Sequence, residues 1–144
     1  MTRIESKLVV SKSIEETFSF LSTSANHLKI IPRAVAFEQT SAGTFGQPGA
    51  TATGTIRYFG LNMNVDYEIF EHKANQRLAM KGKLGPLNFK DGYILSSAPN
   101  GTQISFWLEL TLNGVAKLLA PFAWLVSKVH AYETLRNLKR ELAR

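Results

Sequence analysis

The 144-residue chain contains no cysteine. A disulfide framework and a thiolate metal site are therefore excluded, and the composition suits a reducing compartment, so a cytoplasmic protein is expected. Histidine is scarce: His27, His72 and His130 lie far apart, with no H-x-x-x-H spacing, and no metal site is expected. Long apolar runs are missing too. The most apolar stretch, Val115 to Val126, is shorter than the ~20 residues that span a bilayer and carries Lys117 and Pro121, which argues against a transmembrane anchor. The N-terminal "MTRIESKLVV" lacks the apolar core of a secretory signal. "GTFGQPGATATG" is glycine-rich but has neither phosphate-loop nor dinucleotide spacing, so no cofactor is expected and the stretch reads as a strand connection. The alternative is a gate in which Phe45 dips into a cavity mouth. Repeats, low-complexity tracts and linkers are also absent. The whole chain, 1–144, is expected to form one domain.

The residues present, 44% hydrophobic and 19% charged, make an ordinary globular balance. The net charge is +6 and the pI about 9.7. The basic residues are scattered and match no nucleic-acid-binding motif, so no nucleic-acid partner is expected.

The apolar periodicity orders the elements. "RIESKLVV" alternates as a strand. In "SIEETFSFL", Ser13 and Glu16 form a capping box ahead of the helical face Ile14, Phe18 and Leu21. "SANHLKIIP" predicts a second short helix stopped at Pro32. Period-two runs follow: "AVAFEQT", "TATGTIRYF", "MNVDYEIFEH", "QRLAMKGKL", "FKDGYILSS" and "TQISFWLELTL". The Asn100-Gly101 pair marks a hairpin. After Gly114 the period becomes helical, and Phe122, Leu125, Val126, Val129, Tyr132, Leu135, Leu138 and Leu142 step by three or four as an expected core stripe. An antiparallel meander cannot bury its dry face alone, and this long helix is the expected cover.

The order resembles the START/Bet v 1-like (SRPBCC) superfamily, within it the bacterial polyketide cyclase/dehydrase-type proteins. The likeness spans nearly the whole chain. It rests on "SIEETFSFLSTSANHLKIIP" after the first strand, on "NGTQISFWLEL", and on "LNGVAKLLAPFAWLVSKVHAYETLRNLKRELAR" with its Gly114 and Pro121. The chain departs from that pattern at Ile30-Ile31-Pro32, where an aromatic usually precedes the proline, and at Ser11-Lys12-Ser13, which stands in place of Ala-Pro. The resemblance implies an α+β helix-grip fold, a curved seven-stranded antiparallel sheet wrapped around the C-terminal helix with two short helices after the first strand. It also implies a cavity between sheet and helix. Relatives bind lipids, sterols, polyketides or quinones, and some catalyse cyclisation or dehydration.

If such a cavity exists, strand parity places Ile56, Met63, Val65, Tyr67, Ile69, Met80, Leu95, Phe106 and Leu108 around it, with Met63 and Met80 as adaptable linings. Phe122, Leu125, Val126 and Val129 would face it from the helix. Leu118, with Leu119, Phe122 and Trp124, is expected at a ligand doorway or at an interface with another chain. Tyr67 and His130 are the candidate catalytic groups: a tyrosine can orient a carbonyl, and a histidine titrates near neutrality. Either could equally be structural, and Tyr58 and Tyr93 share that ambiguity. Asp66, Glu68, Asp91 and Glu109 are expected on the outer face, as is the strip of Arg77, Lys81 and Lys83. The first function expected is binding or carriage of a small hydrophobic or amphipathic ligand. The alternatives are a cyclase/dehydratase-type enzyme in the same cavity and a membrane- or partner-contacting accessory protein. Peripheral membrane contact and a homodimer stay open.

Overall fold

A computed structural model describes residues 2–85 and 87–143. The elements are β1 (Thr2–Val10), α1 (Ile14–Leu21), α2 (Ser24–Ile30), β2 (Ala34–Gln39), β3 (Thr51–Tyr58), β4 (Leu61–Lys73), β5 (Arg77–Leu84), β6 (Leu87–Ala98), β7 (Gly101–Leu112), a 3-10 helix (Gly114–Leu119) and α3 (Ala120–Leu142). The seven strands form one sheet in the order β1-β7-β6-β5-β4-β3-β2, every pair antiparallel. Strands β2 to β7 are a meander, and β1 closes on β7.

Local chemistry sets the joints. The Glu16 amide donates to Ser13 Oγ at 3.1 Å, which caps α1 as expected. α2 ends at Ile30, ahead of Pro32. The β6–β7 hairpin turns through Pro99 and Asn100, with Asn100 at φ +66°, a left-handed conformation that asparagine tolerates. The β3–β4 hairpin has the two-residue loop Phe59-Gly60, both at positive φ. Asparagine is the usual first residue of such a turn, because a bulky side chain is strained there. Phe59 occupies it nonetheless and is 93% exposed.

The expected stripe on α3 does not form one face. At about 100° per residue, the sixteen steps from Phe122 to Leu138 leave those side chains roughly 160° apart. Steps of three and four drift around the helix as they add up. The structure buries Ala131, Leu135, Leu138 and Leu142 against the core, while Phe122, Leu125, Val129 and Tyr132 stand exposed. A third face carries Val126, Ser127, His130 and Thr134.

α3 packs on β1, β7 and α2. The small Ala131 and Thr134 allow close approach, and the Asn137 amide donates to the Ile30 carbonyl at 3.2 Å. The first turns of α3 have no comparable anchor among the described residues, so a gap remains over the middle strands. Phe45 is not a gate. Its ring is 2% exposed and packs edge-on against His27 and Phe37, at centroid distances of 5.1 and 5.5 Å. The loop before β3 is thereby pinned to the core.

The two faces of α3 separate in stability. Leu138→Ala is expected to cost about 2–5 kcal/mol in denaturant unfolding, as a fully buried leucine. Leu125→Ala, on the exposed face, should stay within about 0.5 kcal/mol, as a surface change. Equal costs would contradict this packing.

Candidate functional site

The gap under α3 is a cavity of about 120 Å³. Its floor comes from the inward residues of β3 to β7, its roof from α3, and Ile31 closes one side. The lining is mainly apolar: Ile56, Val65, Met80, Phe106, Leu108, Leu110 and Val126, all on the expected inward faces, with Leu84, Leu87 and Phe89 added. Met63, although on the inward parity, lies near the β3–β4 tip and lines nothing. Ile69 and Leu95 are buried in the solid core instead, Ile69 beneath the loop that Gly49 and Ala50 pin to it. Leu118, Phe122, Leu125 and Val129 also do not line the cavity, because the helix turns them to solvent.

Tyr67 sits in the cavity beside two glycines, one making room for its own ring and the other for the Phe89 ring that packs on it. On one side Gly54 lies within contact of it: a Cβ there would sit 3.1 Å from the tyrosine ring. On the other, Gly82 is directly opposite Tyr67 in the sheet. A Cβ at Gly82 would collide with the Asp66 carbonyl and with the Phe89 ring, which lies over the glycine to meet Tyr67 edge-on at 5.6 Å. Phe37 packs on the same tyrosine at 5.1 Å. The ring is fixed by packing, and its hydroxyl takes no hydrogen bond from the described residues.

Asp91 overturns an expectation. It points inward, between Met80 of β5 and Leu108 of β7, and is only 8% exposed. Its Oδ1 has no hydrogen-bond partner among the described residues. Burial pushes its carboxyl up to about 7. Tyr93, two residues along the same strand face, and Tyr67 are both raised, first by burial and then by the charge on Asp91. From the roof, His130 is lowered to about 4; burial outweighs the attraction of Glu133. Its ring lies 6.4 Å from that of Phe106. Ser127 and Thr134 also line the cavity, but their hydroxyls donate to the Ala123 and His130 carbonyls of their own helix. Four polar groups, on Tyr67, Asp91, Tyr93 and His130, are therefore uncommitted among the described residues, in an apolar space.

One wall is held by an ion pair. Arg33, at φ +62°, bonds Glu133 of α3 at 2.6 Å and stacks over the Tyr58 ring at 5.1 Å. This clasp ties the segment after α2 and the end of β3 to the helix. Asp66, Glu68, Arg77, Lys81 and Lys83 are exposed on the outer face as expected, with long contacts of 3.9 Å (Arg77–Glu71) and 4.0 Å (Lys81–Glu68). Glu109 is there too, bonded to Arg3 at 2.9 Å. Among the described residues no group of three His, Cys, Asp or Glu side chains could hold a metal ion. No helix among them is long and apolar enough to cross a membrane.

The buried carboxyl should act on stability. Its folded pKa, about 7, lies above its ordinary value of 3.8. The cost of ionising it accumulates as pH rises from about 4 to 7 and stays constant above. Asp91→Asn cannot ionise, so it is expected to melt higher than the parent at pH 8, by on the order of 4 kcal/mol, and the gap should close below pH 4. A gap that does not change with pH would show the carboxyl to be solvated.

No protein-family model matches the chain, and no curated protein does. Solved structures do match. A START superfamily protein from Mycobacterium smegmatis superposes with a TM-score of 0.81 at 10% identity, over 98% of this chain and 97% of that one. A Thermus thermophilus protein gives 0.79 at 9% identity, over 99% and 97%. The Bet v 1-like Ara h 8.0201 gives 0.75 at 15%, also over 99% and 97%. At such identities the likeness speaks for architecture alone: the chain has the START/Bet v 1-like helix-grip fold.

Proposed function

We propose that the protein binds or carries a small hydrophobic or amphipathic molecule in the cavity under α3. The cavity itself carries this reading. Protein interiors have few voids larger than a water molecule. A single water needs about 10–15 Å³ of such space, so 120 Å³ is far more than one water requires, yet the walls are mainly aliphatic and aromatic. Such a space suits an organic ring better than water. The cyclase/dehydratase reading would use Tyr67 or His130 as proton shuttle, with Asp91 now beside Tyr67. It ranks second because no hydrogen bond among the described residues joins these groups into an acid–base pair.

In native mass spectrometry the gently purified protein should carry an apolar adduct. Val126→Trp, which fills the cavity from the partly exposed helix face, should lose it without unfolding. A parent protein that never carries an adduct and takes up no apolar dye would end this reading.

A specific observation also favours contact with an anionic membrane. The antiparallel order brings the β3–β4 tip, the β5–β6 tip and the end of β7 to one end of the sheet, where the 3-10 helix begins. Exposed apolar side chains gather there: Phe59, Leu61, Val115, Leu118, Leu119 and Phe122. Arg57, Lys83 and Lys117 lie at or next to these tips. Apolar tips among cations suit an anionic lipid surface. Co-sedimentation with phosphatidylserine-containing vesicles is expected at low salt, weakening as salt rises and falling sharply in Leu118→Asp. Equal behaviour with purely zwitterionic vesicles would exclude the charge contribution.

A further inference from the structure

We propose that the cavity selects a neutral apolar molecule bearing one hydrogen-bond-accepting oxygen, a ketone or enone carbonyl. That oxygen would be seated against Asp91, with the Tyr67 and Tyr93 hydroxyls beside it. The inference rests on the ligand-binding reading above and names the chemistry of its ligand.

The site is built, not incidental. Asp91 is more than nine-tenths buried, its Oδ1 is unpaired among the described residues, and it lines the cavity. A buried polar group without a partner is costly, and native structures rarely keep one. The neighbouring phenols are also uncommitted among the described residues, so the cavity floor offers several donors. Each competing ligand class leaves a mismatch. A hydrocarbon would strand the carboxyl and both hydroxyls. A carboxylate would meet Asp91 with no cation to offset it: no Lys or Arg is among the described lining residues, and Arg33 is engaged by Glu133. A cationic amine offers no acceptor to the Tyr67 and Tyr93 hydroxyls and would have to shed its hydration in an apolar space. A carbonyl oxygen has two lone pairs, enough to accept from Asp91 and one of the phenols, and brings no charge. A carboxylic acid held neutral by an apolar site is a strong donor to such an oxygen, and pairs well with a tyrosine.

The groups facing Asp91 are Tyr67 from β4, Tyr93 from its own strand and His130 from α3, with Met80 and Leu108 flanking it on β5 and β7. The phenols are raised and the imidazole is lowered, so near neutrality Asp91 is the group that titrates. Only its protonated form donates to a carbonyl. Affinity for the ligand should therefore fall as pH rises above about 7.

Acetophenone and ethylbenzene share a shape and differ in the carbonyl. In ligand-observed NMR titrations the parent protein should prefer acetophenone by roughly tenfold near pH 6, the scale of one well-made buried hydrogen bond. The ¹³C-labelled carbonyl signal should shift downfield on binding. Asp91→Leu should bind ethylbenzene and lose the preference. Asp91→Asn keeps a donor and should keep the preference, without its decline above neutral pH. Ethylbenzene bound as tightly as acetophenone, or a preference that survives Asp91→Leu, would overturn the inference and leave the carrier reading standing. Binding of neither molecule to the parent protein would overturn the inference and count against the carrier reading as well.

Discussion

The fold depends on how tightly α3 is held at one end and how loosely at the other. The Asn137 amide on the Ile30 carbonyl, with Ala131 and Leu138 packed beneath, fixes the C-terminal half against α2, β1 and β7. Nothing of that kind among the described residues holds the first turns. The sheet is wider than one helix can cover, so the middle strands are left partly roofed and the cavity follows. A larger residue at 131 or 134 would lift the anchored half as well, and the distinction between core and cavity would be lost. Arg33 spans the boundary: its bond to Glu133 closes the wall beside Tyr58 without filling the space.

Within the cavity, packing and chemistry are set against one another. Tyr67 is immobilised by Phe37 and Phe89 because Gly54 and Gly82 yield them space, which spends no polar contact on its hydroxyl. Asp91 is held by its strand in surroundings that disfavour its charge. A core optimised for stability would hold leucine there. Functional sites commonly carry such local costs, offset elsewhere in the structure.

Much of the architecture was legible because it is encoded locally. Ser13 and Glu16 announce the first helix, Asn100-Gly101 announces the last hairpin, and an alternation from Ile104 to Leu112, interrupted by Trp107, marks a strand. The cavity floor followed from the same parity at Ile56, Val65, Tyr67, Met80, Phe106 and Leu108. Asp91 was misplaced although Phe89, Tyr93 and Leu95 share its parity. The ordinary cost of burying a carboxylate argued against what the alternation said. The helix face was misjudged for another reason: steps of three and four are each compatible with helical spacing, yet their sum drifts. Leu125 and Leu138 look alike in sequence and lie on different sides. Gly54 and Gly82 gave no signal that could be separated from ordinary strand interruptions, since the ring that needs their space comes from another strand.

The unsatisfied carboxyl has a consequence for how much of the protein a cell would keep. If the proposed ligand is what satisfies this group, the form without it is the weaker one. Any molecule bound to the folded chain alone adds stability in proportion to the logarithm of its excess over its dissociation constant. Proteolysis then removes the empty form faster than the filled one. Under the ligand-binding proposal, the amount of protein would rise and fall with the supply of that ligand, without any separate sensor.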